Sequence, residues 1–225
     1  MYARYFKRLI DFTLSLMALI VLSPVLLILT VIGAIVMKGN PFFTQMRPGK
    51  DEKIFKLIKF RSMTCEKDEN GNLLPDEQRL TKYGELLRST SLDELPELLN
   101  ILKGEMSIVG PRPQLVRDMV FMTSEERRRH SVRPGLTGLA QVNGRNNMTW
   151  EKKFEYDLQY IQRITLLGDI KILFMTVEKV FKQDGITEEG MATAEDLGDY
   201  LLCTGKVEKA EYDSKQKLAK ELIEV

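Results

Sequence analysis

A single histidine, two cysteines and almost no net charge set the first limits on this 225-residue chain. A His-based triad or a His-based metal site would have to rest on His130 alone, which follows Arg127, Arg128 and Arg129 on what reads as a solvated helix end. Cys65 and Cys203 lie far apart and form no Cys-x-x-Cys pair. They read as reduced, buried or incidental thiols in a reducing compartment, not as a disulfide framework or a structural zinc site. A formal net charge of +1 provides no global basic field, so bulk electrostatics offer no argument for nucleic acid as a partner. Neither a Gly-x-x-x-x-Gly-Lys nor a Gly-x-Gly-x-x-Gly pattern occurs, which argues against a P-loop or Rossmann nucleotide site. There is no internal repeat. The length allows one large domain or a domain with an appendage. If the chain is an enzyme, carboxylates and arginines must carry the chemistry.

The stretch Ser91–Pro113, SLDELPELLNILKGEMSIVGPRP, holds both. Leu92, Leu95, Leu98, Leu99 and Leu102 recur at helical spacing and are expected to bury one face. Asp93 and Glu94 stand at the start of that helix, which should end near Gly104, and a rigid Pro111-Arg112-Pro113 turn follows. Carboxylates at a helix N-terminus beside an arginine make a phosphate-handling site if a divalent cation offsets their charge. The same letters, Ser91-x-x-Glu94, also fit a capping box. Pro96 weakens that reading, because it places the helix start nearer Asp93 or Glu94. Catalysis and simple capping both remain open on spacing alone. A helix N-terminus should lower the Asp93 pKa. Adjacent helical residues point about 100° apart, so Asp93 and Glu94 should do separate jobs.

Ahead of this stretch, Phe12 to Met37 carries no charged residue over about 26 positions, enough to cross a bilayer core as one helix. The run is too long for a signal-peptide core and has no small-x-small cleavage site. Arg4, Lys7 and Arg8 flank one end and Lys38, Arg47 and Lys50 the other, so the positive-inside rule pulls both to the cytoplasm. Pro24 should break the helix near its middle, with the Ser23 hydroxyl answering a carbonyl that the proline frees. Each half then reaches about 16–20 Å, roughly halfway through the hydrocarbon. A re-entrant hairpin fits this pattern better than a single pass.

Two short strands are expected at Phe42–Met46 and Ile54–Arg61, joined at Pro48-Gly49-Lys50, with Phe55, Leu57, Lys59 and Arg61 alternating onto one face. Lys59 and Arg61 would project together, either as a charged strand edge or as an anion site. Residues 66–79 read as an exposed loop, and 80–88 as a short helix that brings Arg88 near Asp93. Residues 114–122 and 124–130 look helical, with Thr123 or Ser124 as N-cap. The cluster of Arg127, Arg128, Arg129 and Arg133 reads as solvated, or as facing anionic lipid. Residues 133–146 carry three glycines and end near Arg145, a composition that lets backbone approach a ligand closely. Helices are expected at 150–163 and 168–182. The second has a stripe of Ile170, Leu173, Phe174, Val177, Val180 and Phe181, which reads first as core and second as a membrane-interface face. Residues 206–225 form a weakly patterned charged tail, at most a frayed helix.

The apolar segment with Ser23-Pro24, Lys59-Phe60-Arg61-Ser62-Met63, Leu92-Asp93-Glu94-Leu95-Pro96, Val109-Gly110-Pro111-Arg112-Pro113 and Arg133-Pro134-Gly135-Leu136-Thr137-Gly138 occur in one order. That order resembles the bacterial sugar transferases, specifically the small monotopic phosphoglycosyl transferases, over about residues 1–188. It is most similar to members that begin N-linked glycan assembly in Campylobacter-like bacteria, which use UDP-N,N'-diacetylbacillosamine. The resemblance implies transfer of a phospho-sugar from a UDP-sugar to polyprenol (undecaprenyl) phosphate with release of UMP, at the cytoplasmic face of a bacterial inner membrane. It implies Mg2+ dependence and a covalent phospho-sugar on Asp93, also the metal-binding position, with Glu94 as second member of the dyad. Lys59, Arg88, Arg112 and Arg145 carry over as phosphate or nucleotide contacts.

The implied fold is α+β and mostly helical. A re-entrant membrane helix over residues 1–38 would precede a compact cytoplasmic domain over 39–188, with a small β-hairpin and interfacial amphipathic helices. Residues 189–225 have no assigned role. A homodimer, a membrane-anchored binding or scaffold protein, and another membrane lipid-phosphate enzyme all remain open.

Overall fold

An apolar helix lies lengthwise along the body that carries the site. The computed structural model describes residues 1–144, 148–182 and 195–224. Helix α1 (Lys7–Val36) is long and apolar enough to cross a membrane. The expected division at Ser23-Pro24 is not seen as a helix boundary, because α1 continues through Pro24. Ser23 Oγ donates to the Ile20 carbonyl at 2.8 Å. That carbonyl would otherwise have taken the N–H that proline lacks.

Asp11, Ser15, Leu29 and Gly33 of α1 are buried, and Ala18, Leu19 and Leu26 pack on the core between them. Their spacing traces one stripe of an α-helix. The opposite side exposes Met17, Ile20, Val21, Leu27, Ile28 and Ile35. Near its start, Asp11 accepts from Ser107 Oγ at 2.7 Å and from the Ile108 N–H at 3.1 Å. Near its end, the Leu29 carbonyl accepts from the Tyr83 hydroxyl at 2.8 Å. Both halves are thus tied to the same body.

The hairpin forms as expected: β1 (Phe42–Pro48) pairs antiparallel with β2 (Ile54–Phe60), in a register that sets Phe43 opposite Lys59. Short helices α2 (Asp76–Arg79) and α3 (Lys82–Ser89) lead to a 3-10 turn at Leu92–Glu94 and then α4 (Glu97–Lys103). The regular helix therefore starts later than Asp93 or Glu94. Pro96, lacking an N–H, is its N-cap, and Gly104 closes it with a left-handed φ of 85°. Within α4, Leu98 and Ile101 are the buried apolar residues whereas Leu99 faces outward.

A second sheet was not legible in the pattern. β3 (Ser107–Val109) and β4 (Gly135–Thr137) pair in parallel, each too short to show a period. Between them lie α5 (Val116–Met119) and α6 (Ser124–Arg127), the latter capped by Thr123 and Glu126. Then come α7 (Leu139–Asn143), α8 (Trp150–Gln162) and α9 (Leu166–Lys182).

Three expectations change here. The stripe of α9 divides: Ile170, Phe174 and Val177 are exposed, Leu173 packs on the core beside the buried Asp169 and Ile172, and the side chains of Val180 and Phe181 lie outside the described ones. The arginine cluster is not simply solvated, since Arg129 is buried against Asp157 and Arg133 donates to the Gly104 carbonyl at 2.7 Å. His130 is buried, and its burial and the neighbouring Arg129 push its pKa down to about 4.

The charged tail is also ordered. α10 (Leu197–Cys203) and α11 (Lys209–Glu224) place Leu197 and Ala219 in a cluster with Val116, Met119, Phe121, Trp150 and Phe154. Leu197→Ala is expected to cost about 2–4 kcal/mol. Leu218→Ala, on the exposed side of α11, should cost under about 1 kcal/mol. Urea unfolding in detergent micelles measures both, and equal small losses would mean that the segment contributes nothing to the fold.

Candidate active site

Lys59 is the side chain on which the site converges. Alternation along β2 buries Phe55 and Leu57 on the face from which Lys59 also projects. Its Nζ lies 2.8 Å from Glu94 Oε1 and 3.0 Å from Glu97 Oε1. β2 ends at Phe60, and the Arg61 N–H still donates to the Pro41 carbonyl at 2.7 Å, one rung beyond the strand.

Glu94 Oε1 also accepts from Arg112 at 3.0 Å. Ser91, in a left-handed conformation at φ 56°, makes no side-chain cap. The capping box is therefore absent, because the Glu94 carboxylate is committed to Lys59 and Arg112. Asp93, one residue earlier, makes no hydrogen bond or ion pair with a described residue. The two adjacent carboxylates are already divided in role, one locked and one open.

The other cations reach this point by close backbone packing. A Cβ on Gly84 would stand 1.9 Å from the Ser62 carbonyl oxygen, so only glycine lets α3 approach that closely. Arg88 of α3 then donates from Nε to Ser62 Oγ at 3.0 Å and contributes to the field at Asp93. Around Arg112, a Cβ on Gly135 would lie 2.1 Å from the Gly110 nitrogen. Two of the three glycines of 133–146 that had pointed to a ligand, Gly135 and Gly138, thus serve close approach to the Gly110 backbone. Arg112 keeps its head 44% exposed. Arg145 lies outside the described residues.

The electrostatics separate the carboxyls further. Burial raises the Asp93 pKa and Glu94 adds to it, against partial relief from Lys59, Arg112 and Arg88. The net direction is therefore opposite to the lowering expected from a helix N-terminus, with burial the leading cause, and Asp93 stands in a 3-10 turn ahead of α4. Burial also acts against ionised Glu94, yet Lys59 and Arg112 outweigh it and hold its pKa well below the usual range. For Lys59, burial opposes the charge, and Glu94 and Glu97 overcome it to give a raised pKa.

Sequence reasoning missed Glu97. Burial, with Glu94 close by, pushes its pKa up to about 7 despite the bond to Lys59. Its signal was present in the four-residue step from Asp93 across Pro96, which places a third carboxylate one helical turn beyond the first. Among the described residues, no three His, Cys, Asp or Glu side chains form a metal cluster. Asp93 is, among the described residues, the uncommitted carboxylate of the trio Asp93, Glu94 and Glu97. Mg2+ is commonly held by one or two carboxylates, with water and substrate phosphates completing its shell. That donor set fits Asp93.

The sequence pattern of the bacterial sugar transferases matches residues 2–183. The chain belongs to the bacterial sugar transferase family. Among its relatives, the uncharacterized sugar transferase EpsL of Bacillus subtilis is 49% identical over 189 residues, 84% of this chain and 94% of that protein. The UDP-glucose:undecaprenyl-phosphate glucose-1-phosphate transferase of Klebsiella pneumoniae is 44% identical over 186 residues, 78% of this chain but 40% of that protein. The undecaprenyl-phosphate galactose phosphotransferase of Salmonella typhimurium is 35% identical over 201 residues, 81% of this chain and 42% of that protein.

The raised pKa of Glu97 in this sugar transferase has a measurable consequence. A carboxyl that holds its proton more tightly when folded contributes stability below the ordinary value of 4.5, lost as pH rises through about 7. Glu97→Gln should therefore gain stability relative to the parent chain between about pH 5 and pH 8, by up to about 3 kcal/mol. Thermal unfolding at the two pH values checks this. A stability difference that stays constant between the two pH values, or a variant that loses ground to the parent as pH rises, would show Glu97 to be an ordinary ionised carboxylate.

Proposed function

We propose that this sugar transferase is a phosphoglycosyl transferase that moves a sugar-1-phosphate from a UDP-sugar to polyprenol phosphate, releasing UMP. The observation that carries this reading is the division of the dyad: among the described residues Asp93 is unengaged, while Glu94 holds Lys59 and Arg112 beside it. The printed names of the Klebsiella and Salmonella relatives describe undecaprenyl-phosphate sugar transfer and support the same reaction class.

The chemistry follows from the charges. An Asp93 oxygen attacks the phosphorus that bears the sugar, a new P–O bond forms, and the bond to UMP breaks with its electron pair leaving on UMP. A phosphate oxygen of the polyprenol phosphate then attacks that phosphorus, and the bond to Asp93 breaks to restore the carboxylate. Bound at Asp93 and the diphosphate, Mg2+ would supply charge neutralisation that lowers the repulsion between carboxylate and phosphate. Arg112 and Lys59 offer cationic donors to the phosphate oxygens, and Arg88 offers a third from α3. Glu94, with its depressed pKa, is a weak proton acceptor in this geometry and fits the task of positioning those cations.

The acceptor implies a membrane, and the exposed apolar sides of α1 and α9 support one. With both halves of α1 tied to the same body, a re-entrant insertion from the cytoplasmic side accounts for the basic flanks better than a single pass. The donor sugar rests on thinner ground. The Campylobacter-type likeness favours a diacetylated amino sugar, whereas the named relatives carry glucose and galactose.

UMP release with polyprenol phosphate and a panel of UDP-glucose, UDP-galactose and UDP-N,N'-diacetylbacillosamine tests the reaction. Inorganic phosphate in place of UMP, or no product at all, would remove the reading. Asp93→Asn should fold and lose several orders of magnitude in turnover, on the scale of a lost nucleophile. With UDP-sugar and Mg2+ but no acceptor, intact-protein mass spectrometry should find a hydroxylamine-labile sugar-phosphate adduct on Asp93. Near-normal turnover of the variant, or an adduct elsewhere, would identify a different nucleophile. For topology, Ala3→Cys and Asn40→Cys in a background without Cys65 and Cys203 should both resist an impermeant thiol reagent on intact spheroplasts. Labelling at position 3 without lysis would restore the single pass.

A further inference from the structure

The Pro111-Arg112-Pro113 turn is held from outside at every carbonyl. Prolines at both ends remove two N–H groups, so the turn cannot use them to brace itself. The Pro111 carbonyl accepts from the Gly135 N–H at 2.9 Å, and the Pro113 carbonyl from Arg47 Nη1 at 3.2 Å. The middle carbonyl, that of Arg112, accepts from Arg129 Nη2 at 2.6 Å. Arg129 is itself pinned: its Nε and Nη2 donate to Asp157 Oδ2 of α8 at 2.9 and 2.7 Å, and both side chains are almost wholly buried.

We infer that the buried Arg129–Asp157 pair is a positioning device for Arg112, fixing the backbone from which that side chain reaches Glu94 and the substrate phosphates. A buried ion pair by itself contributes little to stability, because desolvation cancels much of the attraction. Here the planar guanidinium spends its fork on one carboxylate oxygen and turns a donor to a single backbone atom, the carbonyl of the arginine that faces the dyad. Asp157 orients the fork and Arg129 sets the turn. The exposed head of Arg112 then lies at Glu94 Oε1 with little freedom left in its backbone. Charge is not the means, since the guanidinium of Arg129 is neutralised by Asp157 and buried away from solvent.

This inference rests on the reading of Arg112 as a contact for the UDP-sugar, and the experiment separates the two. Full-length Asp157→Asn, Arg112→Gln and the double variant are compared by kcat/KM for UDP-sugar at saturating polyprenol phosphate, and by Tm. Asp157→Asn keeps shape but loosens the grip on Arg129, and should lower kcat/KM by about tenfold or more. In the Arg112→Gln background the same change should cost less than about twofold, while the fall in Tm is the same in both backgrounds. Arg129→Lys, which keeps the charge but not the fork, should repeat the pattern and carries the cycle if Asp157→Asn fails to fold. An equal loss of kcat/KM in both backgrounds would reduce the pair to a structural role and overturn the inference. So would an unchanged kcat/KM in the single variants. Parent-like kcat/KM in Arg112→Gln would instead remove the reading of Arg112, and the inference with it.

Discussion

One ammonium group facing two carboxylates is the constraint on which the site depends. Lys59 comes from the β-hairpin, while Glu94 and Glu97 come from the turn and first residue of α4, so their contact fixes the sheet against the helix. Removing one partner from a buried charge cluster leaves another uncompensated, at a cost on the order of 3–5 kcal/mol. The same contact settles chemistry as well as shape. By drawing Glu94 to Lys59 and Arg112, it leaves the neighbouring carboxylate of Asp93 unpaired among the described residues.

The charges around that open carboxylate come from separate parts of the chain. Arg88 arrives on a helix that Gly84 allows to touch the Ser62 backbone, and Arg112 on a turn that Gly110 and Gly135 allow to lie against a strand. In each case a missing side chain decides where a charged one stands. The result is a concentration of positive groups at one point in a chain whose formal net charge is only +1. A small global charge and a strongly polarised site are compatible because interactions at a few ångströms in a partly desolvated cluster outweigh distant, screened ones.

Beneath the site, α1 unites two environments. One stripe carries Asp11, Ser15 and Gly33 into contact with the body, and the other side is almost entirely apolar and exposed. A helix meant only to span lipid would have no use for a buried aspartate bonded to Ser107 and Ile108. That contact places the start of the apolar helix beside β3, the strand that leads directly into the Arg112 turn. In a bilayer, the depth of the helix and the height of the site would therefore be set together.

The sequence by itself determined the elements whose signal is local. The hairpin, the uncharged helix, the Gly104 stop, the Thr123 cap and the clustering of acidic and basic motifs all follow from periods, turn residues and charge within a short window. Lys59 was legible as a candidate because strand alternation fixes its face. Tertiary structure decided whatever depends on a partner distant in sequence. Capping or catalysis at Ser91-x-x-Glu94 was undecidable locally, since the competing donors to Glu94 lie on β2 and in the Pro-Arg-Pro turn. Glu97 carried no local signal that would bring it to Lys59, and Arg129 looked solvated until Asp157 buried it. The outward face of α9 and the docking of α10 and α11 were hidden for the same reason. A stripe records only that a residue is apolar, and whether it meets core, lipid or solvent is set by the surface that the rest of the chain brings to it.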